Sequence, residues 1–102
     1  MFNIIARKLL LEYCKKYPEA KNGLLTWYYE LEKSNFVNIN ELKRSYPDAS
    51  IIGDNRIIFN ILGNKYRLIV RIIFNYKAIQ IKWFGNHAEY NKVDALTVQN
   101  KK

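Results

Sequence analysis

The chain has 102 residues, 49% of them hydrophobic, with only 4 glycines and 2 prolines. This excludes a disordered or collagen-like chain and fits one domain, residues 1–102, around one core. The formal net charge of +8 points to nucleic acid, an anionic surface or an acidic protein partner, and the lone cysteine, Cys14, excludes an internal disulfide framework.

Met1 to Ile5 is short and apolar and reads as a strand that could join a sheet. From Arg7 to about Tyr17, Leu9, Leu10, Tyr13 and Tyr17 recur at helical spacing, with Cys14 on the same helix as a packing residue. Pro18 interrupts the pattern at a place suited to a new helix start. Leu24, Leu25, Trp27, Tyr28 and Leu31 mark a second amphipathic helix, with Trp27 and Tyr28 facing the core or a protein partner. Asn38 and Glu41 have the spacing of a capping box, which predicts a short third helix to about Tyr46 that Pro47 ends.

Near residue 50 the pattern changes from helical to strand-like. Ile57 to Ile61 is β-branched and aromatic, and Gly63-Asn64 suits a tight hairpin turn. Tyr66 to Phe74 reads as a long strand broken near Asn75-Tyr76-Lys77, and Ala78 to Phe84 as the next. Period two puts Leu68, Val70 and Ile72 on one face, for packing against the helices, and Arg67, Ile69, Arg71 and Ile73 on the other. In the last strand Gln80 and Lys82 alternate with Ile79, Ile81 and Trp83, so Trp83 is expected in the core.

Between Asp54 and Glu89 there is no acidic residue, but Arg56, Lys65, Arg67, Arg71, Lys77 and Lys82 all fall there. The only histidine, His87, follows at once, with Glu89, Tyr90 and Lys92 beside it. A basic surface ending in such a cluster suits a polyanion that is bound and chemically attacked, with RNA the leading candidate. Histidine is the residue type that exchanges a proton near neutrality, and arginine the one that clamps a phosphate bidentately. His87 could therefore move a proton, Arg67 and Arg71 could clamp the phosphate, and Tyr90 could stack on a base or donate a proton, although a lone histidine is more often structural. It is the resemblance carried by the blocks quoted below that makes His87, Arg67 and Tyr90 the candidate catalytic residues. Arg71, Lys65, Lys82, Lys92 and Arg56 are the candidate RNA contacts, and Glu89 is expected to pair with a basic residue. No paired carboxylates, glycine-rich phosphate loop or metal-ligand cluster is present, which argues against glycosidases, nucleotide-driven motors and two-metal nucleases. No metal or cofactor is expected. The segment Met1–Lys8 lacks the basic-then-apolar order of a signal peptide and no apolar run could span a membrane, so a cytoplasmic protein is expected.

The order and spacing of several blocks carry a resemblance over nearly the whole chain. They include Ile4-Ile5-Ala6-Arg7-Lys8, Tyr17-Pro18-Glu19-Ala20, Trp27-Tyr28, Tyr46-Pro47-Asp48-Ala49 and Phe59-Asn60-Ile61. The most specific are Gly63-Asn64-Lys65-Tyr66-Arg67-Leu68-Ile69 and Gly85-Asn86-His87-Ala88-Glu89-Tyr90-Asn91-Lys92-Val93-Asp94-Ala95. Together they resemble the HigB family of toxin endoribonucleases, within the wider RelE-like group. The resemblance implies an α+β fold, a RelE-like compact domain with a small twisted, mainly antiparallel sheet and N-terminal helices on one face. It further implies metal-independent cleavage of mRNA on the ribosome and a HigA-type antitoxin with a helix-turn-helix domain. The family pattern has Thr and Asp where this chain has Asn86 and Asn91, so a carboxylate beside the expected site is replaced by an amide. A non-catalytic RNA-binding module therefore stands as the second reading, and a domain whose basic face meets an acidic protein as the third.

Overall fold

A computed structural model of the chain describes residues 1–99; of the tail expected to fray, Gln99–Lys102, all but the first residue lies outside the described residues. The elements are β1 (Asn3–Ile5), α1 (Arg7–Lys16), a 3-10 turn (Pro18–Ala20), α2 (Lys21–Lys33), α3 (Ile39–Ser45), β2 (Ser50–Ile51), β3 (Arg56–Ile61), β4 (Tyr66–Ile73), a second 3-10 turn (Phe74–Tyr76), β5 (Ala78–Asn86) and α4 (His87–Tyr90). Pro18 opens the turn that leads into α2, because its missing N–H costs nothing in a first turn. Asn38 caps α3 by accepting the Glu41 N–H at 3.0 Å. The Glu41 carboxylate reaches back one residue further than a capping box requires, to Val37 N–H at 3.0 Å.

The strands form one sheet in the order β1-β5-β4-β3-β2, with β1 parallel to β5 and the other pairs antiparallel. The expected α+β class and mainly antiparallel sheet are found, with a two-residue edge strand, β2, that was not anticipated. Gly63 and Asn64 are the central residues of the β3–β4 turn, closed by Lys65 N–H to Leu62 O at 3.3 Å. Leu62 and Gly63 both have positive φ, 56° and 65°. Leucine tolerates that region poorly and glycine readily, so the glycine eases a turn that bends the wrong way for most side chains.

The inner face follows period two. Ile57, Phe59 and Ile61 lie opposite Val70, Leu68 and Tyr66, and Leu10, Cys14, Leu24, Trp27 and Leu31 of the helices bury against them. Phe59 is 2% exposed and meets Trp27 and Tyr46 edge-on at 5.5 and 5.2 Å. Trp27 and Tyr28 are both core residues.

The outer face is not the open basic surface that alternation alone suggests. Ile58 and Ile69 face each other on it and are 5% and 0% exposed. The C-terminal segment crosses this side: Arg56 Nη1 donates to Ala95 O at 2.9 Å and Val98 O at 2.8 Å. The second departure is in β5. Ile69 pairs with Trp83 but Val70 pairs with Ile81, so Lys82 is an extra, bulged residue. A bulge breaks the period of two, so Trp83 stands on the outer face beside Arg67 and Ile69, not in the core as expected. No helix among the described residues is long and apolar enough to cross a membrane.

Truncating Phe59 leaves a cavity between α2, α3 and the sheet. Phe59→Ala is expected to cost about 3–5 kcal/mol, read as a lower urea midpoint with an unchanged slope.

Candidate nucleic-acid interface and active site

A helix of four residues cannot hold itself together, so α4 has to be pinned from outside. Asn86 Oδ1 accepts the Glu89 N–H at 2.8 Å and Glu89 Oε1 accepts the Asn86 N–H at 2.9 Å, a complete capping box. The same Glu89 oxygen accepts the Tyr17 hydroxyl at 2.7 Å. His87 N–H donates to Lys65 O at 2.9 Å, tying the start of the turn to the β3–β4 hairpin. Glu89 thus partners a backbone amide and a tyrosine hydroxyl, where a basic residue was expected. The Asn86 amide, the Tyr17 hydroxyl and, more weakly, nearby Lys16 and Lys92 hold its carboxyl below the usual carboxylate range, against the effect of burial. Tyr17 is pushed up, first by burial and then by this hydrogen bond. Tyr17 is itself wedged among Tyr66 and Phe84, at 5.4 and 5.5 Å, so the anchor is stiff.

This arrangement brings three of the expected site residues together. Arg67 lies opposite Gly85 in the β4–β5 ladder. Its Nη1 donates to Asn64 O at 3.0 Å, and its guanidinium carbon sits 5.6 Å from the centre of the Tyr90 ring. The His87 and Tyr90 rings are 6.5 Å apart, and Trp83 is 6.3 Å from Tyr90 on the other side of the cluster. Asn91 Nδ2 is 3.4 Å from His87 Nδ1. His87 and Asn91 are exposed, and Arg67, Trp83 and Tyr90 are half-buried. Gly85 is obligatory for this packing: a Cβ there would lie 2.6 Å from Trp83 Cη2 and 2.9 Å from Glu89 Oε1.

The remaining basic residues divide. Lys65 borders the cluster but is 3.3 Å from Glu19, and Lys92 is exposed just after α4. Arg71 is four residues along β4 from Arg67, about 13 Å away, and its Nε contacts Asp54 O at 3.2 Å and Asp54 Oδ1 at 3.5 Å. Lys82 is half-buried; burial, then Arg56 and Arg71, push its ammonium below the usual lysine value. Arg56, expected as an RNA contact, is 4% exposed and spends its guanidinium on the C-terminal carbonyls. Its burial follows from its outer-face position opposite Arg71 under the crossing segment. Among the described residues no group of three His, Cys, Asp or Glu side chains gathers as metal ligands would.

Trp83 and the Tyr17–Glu89 link were not singled out from the sequence as site components, whereas Asn91 was noted there as an amide beside the expected site. The link had a legible signal: Asn86…Glu89 repeats the cap spacing of Asn38…Glu41. Trp83 had none, because a bulge leaves no mark in hydrophobic periodicity.

Because Glu89 is held below its ordinary value of 4.5, its contribution is present above that value and disappears as pH falls through the folded-state value. Glu19, lowered by Tyr66 and Lys65, adds to the same acid limb. Glu89→Gln should therefore lose less stability than wild type as pH falls from about 5 through the folded-state value, measured as the shift in urea midpoint, while being the less stable protein at neutral pH.

Residues 20–93 match the family model of HigB_toxin, described as the RelE-like toxic component of a toxin-antitoxin system. The chain is 28% identical to an mRNA interferase HigB of Escherichia coli, over 97% of this chain and 98% of that protein. It is 26% identical to an mRNA interferase HigB of Shigella flexneri, over 92% of each. The matched span contains strands β2 to β5 together with Arg67, His87 and Tyr90, and the chain belongs to the HigB family of RelE-like toxins.

Proposed function

We propose that this toxin is an endoribonuclease that cleaves mRNA, that it does so without a metal ion, and that His87, Arg67 and Tyr90 form its active site. The observation that carries this reading is the gathering of a guanidinium, an imidazole and a phenol ring around one pinned turn at the end of the sheet. The relatives' name, mRNA interferase, supplies the substrate. The cluster lies on an exposed surface, which suits a long strand better than a small molecule. The ribosome is the place where an unfolded mRNA segment is held still, and cleavage during translation follows from that. The cytoplasm is then the site of action.

The chemistry uses the RNA's own 2′-hydroxyl. Its oxygen attacks the adjacent phosphorus while its proton leaves. The bond from phosphorus to the 5′-oxygen breaks, and that oxygen takes up a proton. The products are a 2′,3′-cyclic phosphate and a 5′-hydroxyl. His87 exchanges the proton. Arg67 neutralises the negative charge that builds on the phosphoryl oxygens. Tyr90, braced by Arg67, stacks on a base or donates to the leaving oxygen. Lys65, Lys82, Lys92 and Arg71 contact phosphates further along the strand. The partner is a HigA-type helix-turn-helix antitoxin, which neutralises the toxin by denying mRNA or ribosome access to this face.

The test is to map RNA 5′ ends in cells soon after induction, for wild type, His87→Ala and Arg67→Ala at matched protein levels. Wild type should give new 5′-hydroxyl ends inside translated regions, and each variant at least about tenfold fewer. New ends carrying 5′-phosphate would reject the 2′-hydroxyl route. No new ends from soluble wild type would leave the non-catalytic RNA-binding reading.

A further inference from the structure

Asn91 is the residue that directly neighbours the His87 ring. It lies four positions on, where one helical turn brings side chains side by side. Asn91 N–H donates to His87 O at 3.2 Å, which fixes the backbone between them, and Asn91 Nδ2 faces His87 Nδ1 at 3.4 Å. The backbone of His87 is held in turn by Lys65 O. Among the described residues the other ring nitrogen, Nε2, makes no hydrogen bond, and His87 is exposed. The imidazole is thus gripped at one nitrogen and presents the other to solvent.

We propose that Asn91 is the positioning residue of His87: it holds the ring through Nδ1 so that Nε2 faces the RNA, and does so without charge. The inference rests on the reading of His87 as the proton-exchanging group. For Nε2 to take or give a proton at the RNA, Nδ1 keeps its own proton and Asn91 accepts it through Oδ1, a half-turn of the amide from the orientation with Nδ2 against Nδ1. A carboxylate at this position would also orient the ring, but it would favour the imidazolium and retain the proton. The neutral amide avoids that bias, and its oxygen accepts Nδ1–H in the neutral ring and in the imidazolium alike. The ring can then change protonation state while its orientation stays fixed.

The other charged and titratable groups around the ring are few. Tyr90 on α4 is 6.5 Å away between ring centres, with the Arg67 guanidinium of β4 against the Tyr90 ring. Lys65 of the hairpin offers its carbonyl to the His87 backbone while its ammonium contacts Glu19. Glu89 turns its carboxylate toward Tyr17 and Asn86 N, and Lys92 follows the turn. No carboxylate contacts the imidazole among the described residues, so a charge introduced at position 91 acts on it directly.

His87 is the chain's only histidine, so its imidazole nitrogen signals can be followed by NMR against pH in the full protein without ambiguity. Wild type, Asn91→Asp and Asn91→Ala would be titrated, and each assayed for cleavage of a defined mRNA in a translating extract. Asn91→Asp should raise the titration midpoint by about half a unit to one unit, and move the His87-dependent limb of the rate profile with it. Asn91→Ala should move the midpoint less, and lower kcat about tenfold with KM little changed. In wild type at high pH, the nitrogen signals should show Nδ1 protonated and Nε2 bare. An unmoved midpoint in Asn91→Asp, or the opposite tautomer in wild type, would overturn the proposal. The titration does not depend on activity. If soluble wild type cleaves nothing, the enzymatic reading fails while the Asn91–His87 contact is still tested.

Discussion

The Glu89 carboxylate is the fixed point on which the His87 turn depends. Four residues of helix cannot repay the entropy of ordering themselves. One carboxylate oxygen ties the turn to its own cap and to Tyr17, a residue 72 positions away at the end of the first helix. Tyr17 is in turn held against Tyr66 and Phe84, which stack on each other at 5.4 Å with 8° between their planes. Helix hairpin, central strands and final turn thus meet at one aromatic cluster. The reactive side chains lie on the far side of that cluster, facing solvent, and inherit its rigidity.

Charge is distributed more unevenly than the composition implies. The acid-free segment between Asp54 and Glu89 suggests a continuous cationic surface. Folding spends much of it internally. Lys65 meets Glu19, Arg71 meets Asp54, and Arg56 is sealed beneath the C-terminal segment, its Nε–H without a hydrogen-bond partner among the described residues. Lys77 donates to Phe36 O at 2.7 Å and lies over the Phe2 ring. Among the described residues Arg67, Lys82 and Lys92 enter no ion pair, and Arg67 and Lys92 border the His87 turn. The positive potential is therefore concentrated near the proposed chemistry and is weaker along the rest of the strand face.

Much of the architecture was legible because local and global signals agreed. The spacing of Leu10, Tyr13 and Tyr17, the cap at Asn38, the stop at Pro47 and the alternation of Leu68, Val70 and Ile72 each had one consistent reading. The gathering of Arg67 with His87 and Tyr90 was legible only through resemblance, since residues 67 and 87 have no local relation in the chain. What escaped had specific causes. A two-residue edge strand carries no period. The burial of Arg56 on the outer face depends on a segment 39 residues later crossing above it. Glu89 was expected to pair with a basic residue because its carboxylate would repel phosphate; here two hydrogen bonds from neutral groups contribute more than any single charge.

The bulge at Lys82 bears on how kindred chains should be aligned. With Lys82 removed, Ile81, Trp83, Phe84 and Gly85 would alternate inward and outward without a break, each on the face it already occupies. The extra residue is therefore an insertion that the sheet absorbs locally, and it leaves the positions of Arg67, Gly85 and His87 unchanged. A relative one residue shorter at this point would share the same architecture. An alignment that shifted the gap past Gly85 to save apparent identities would pair functional positions with structural ones.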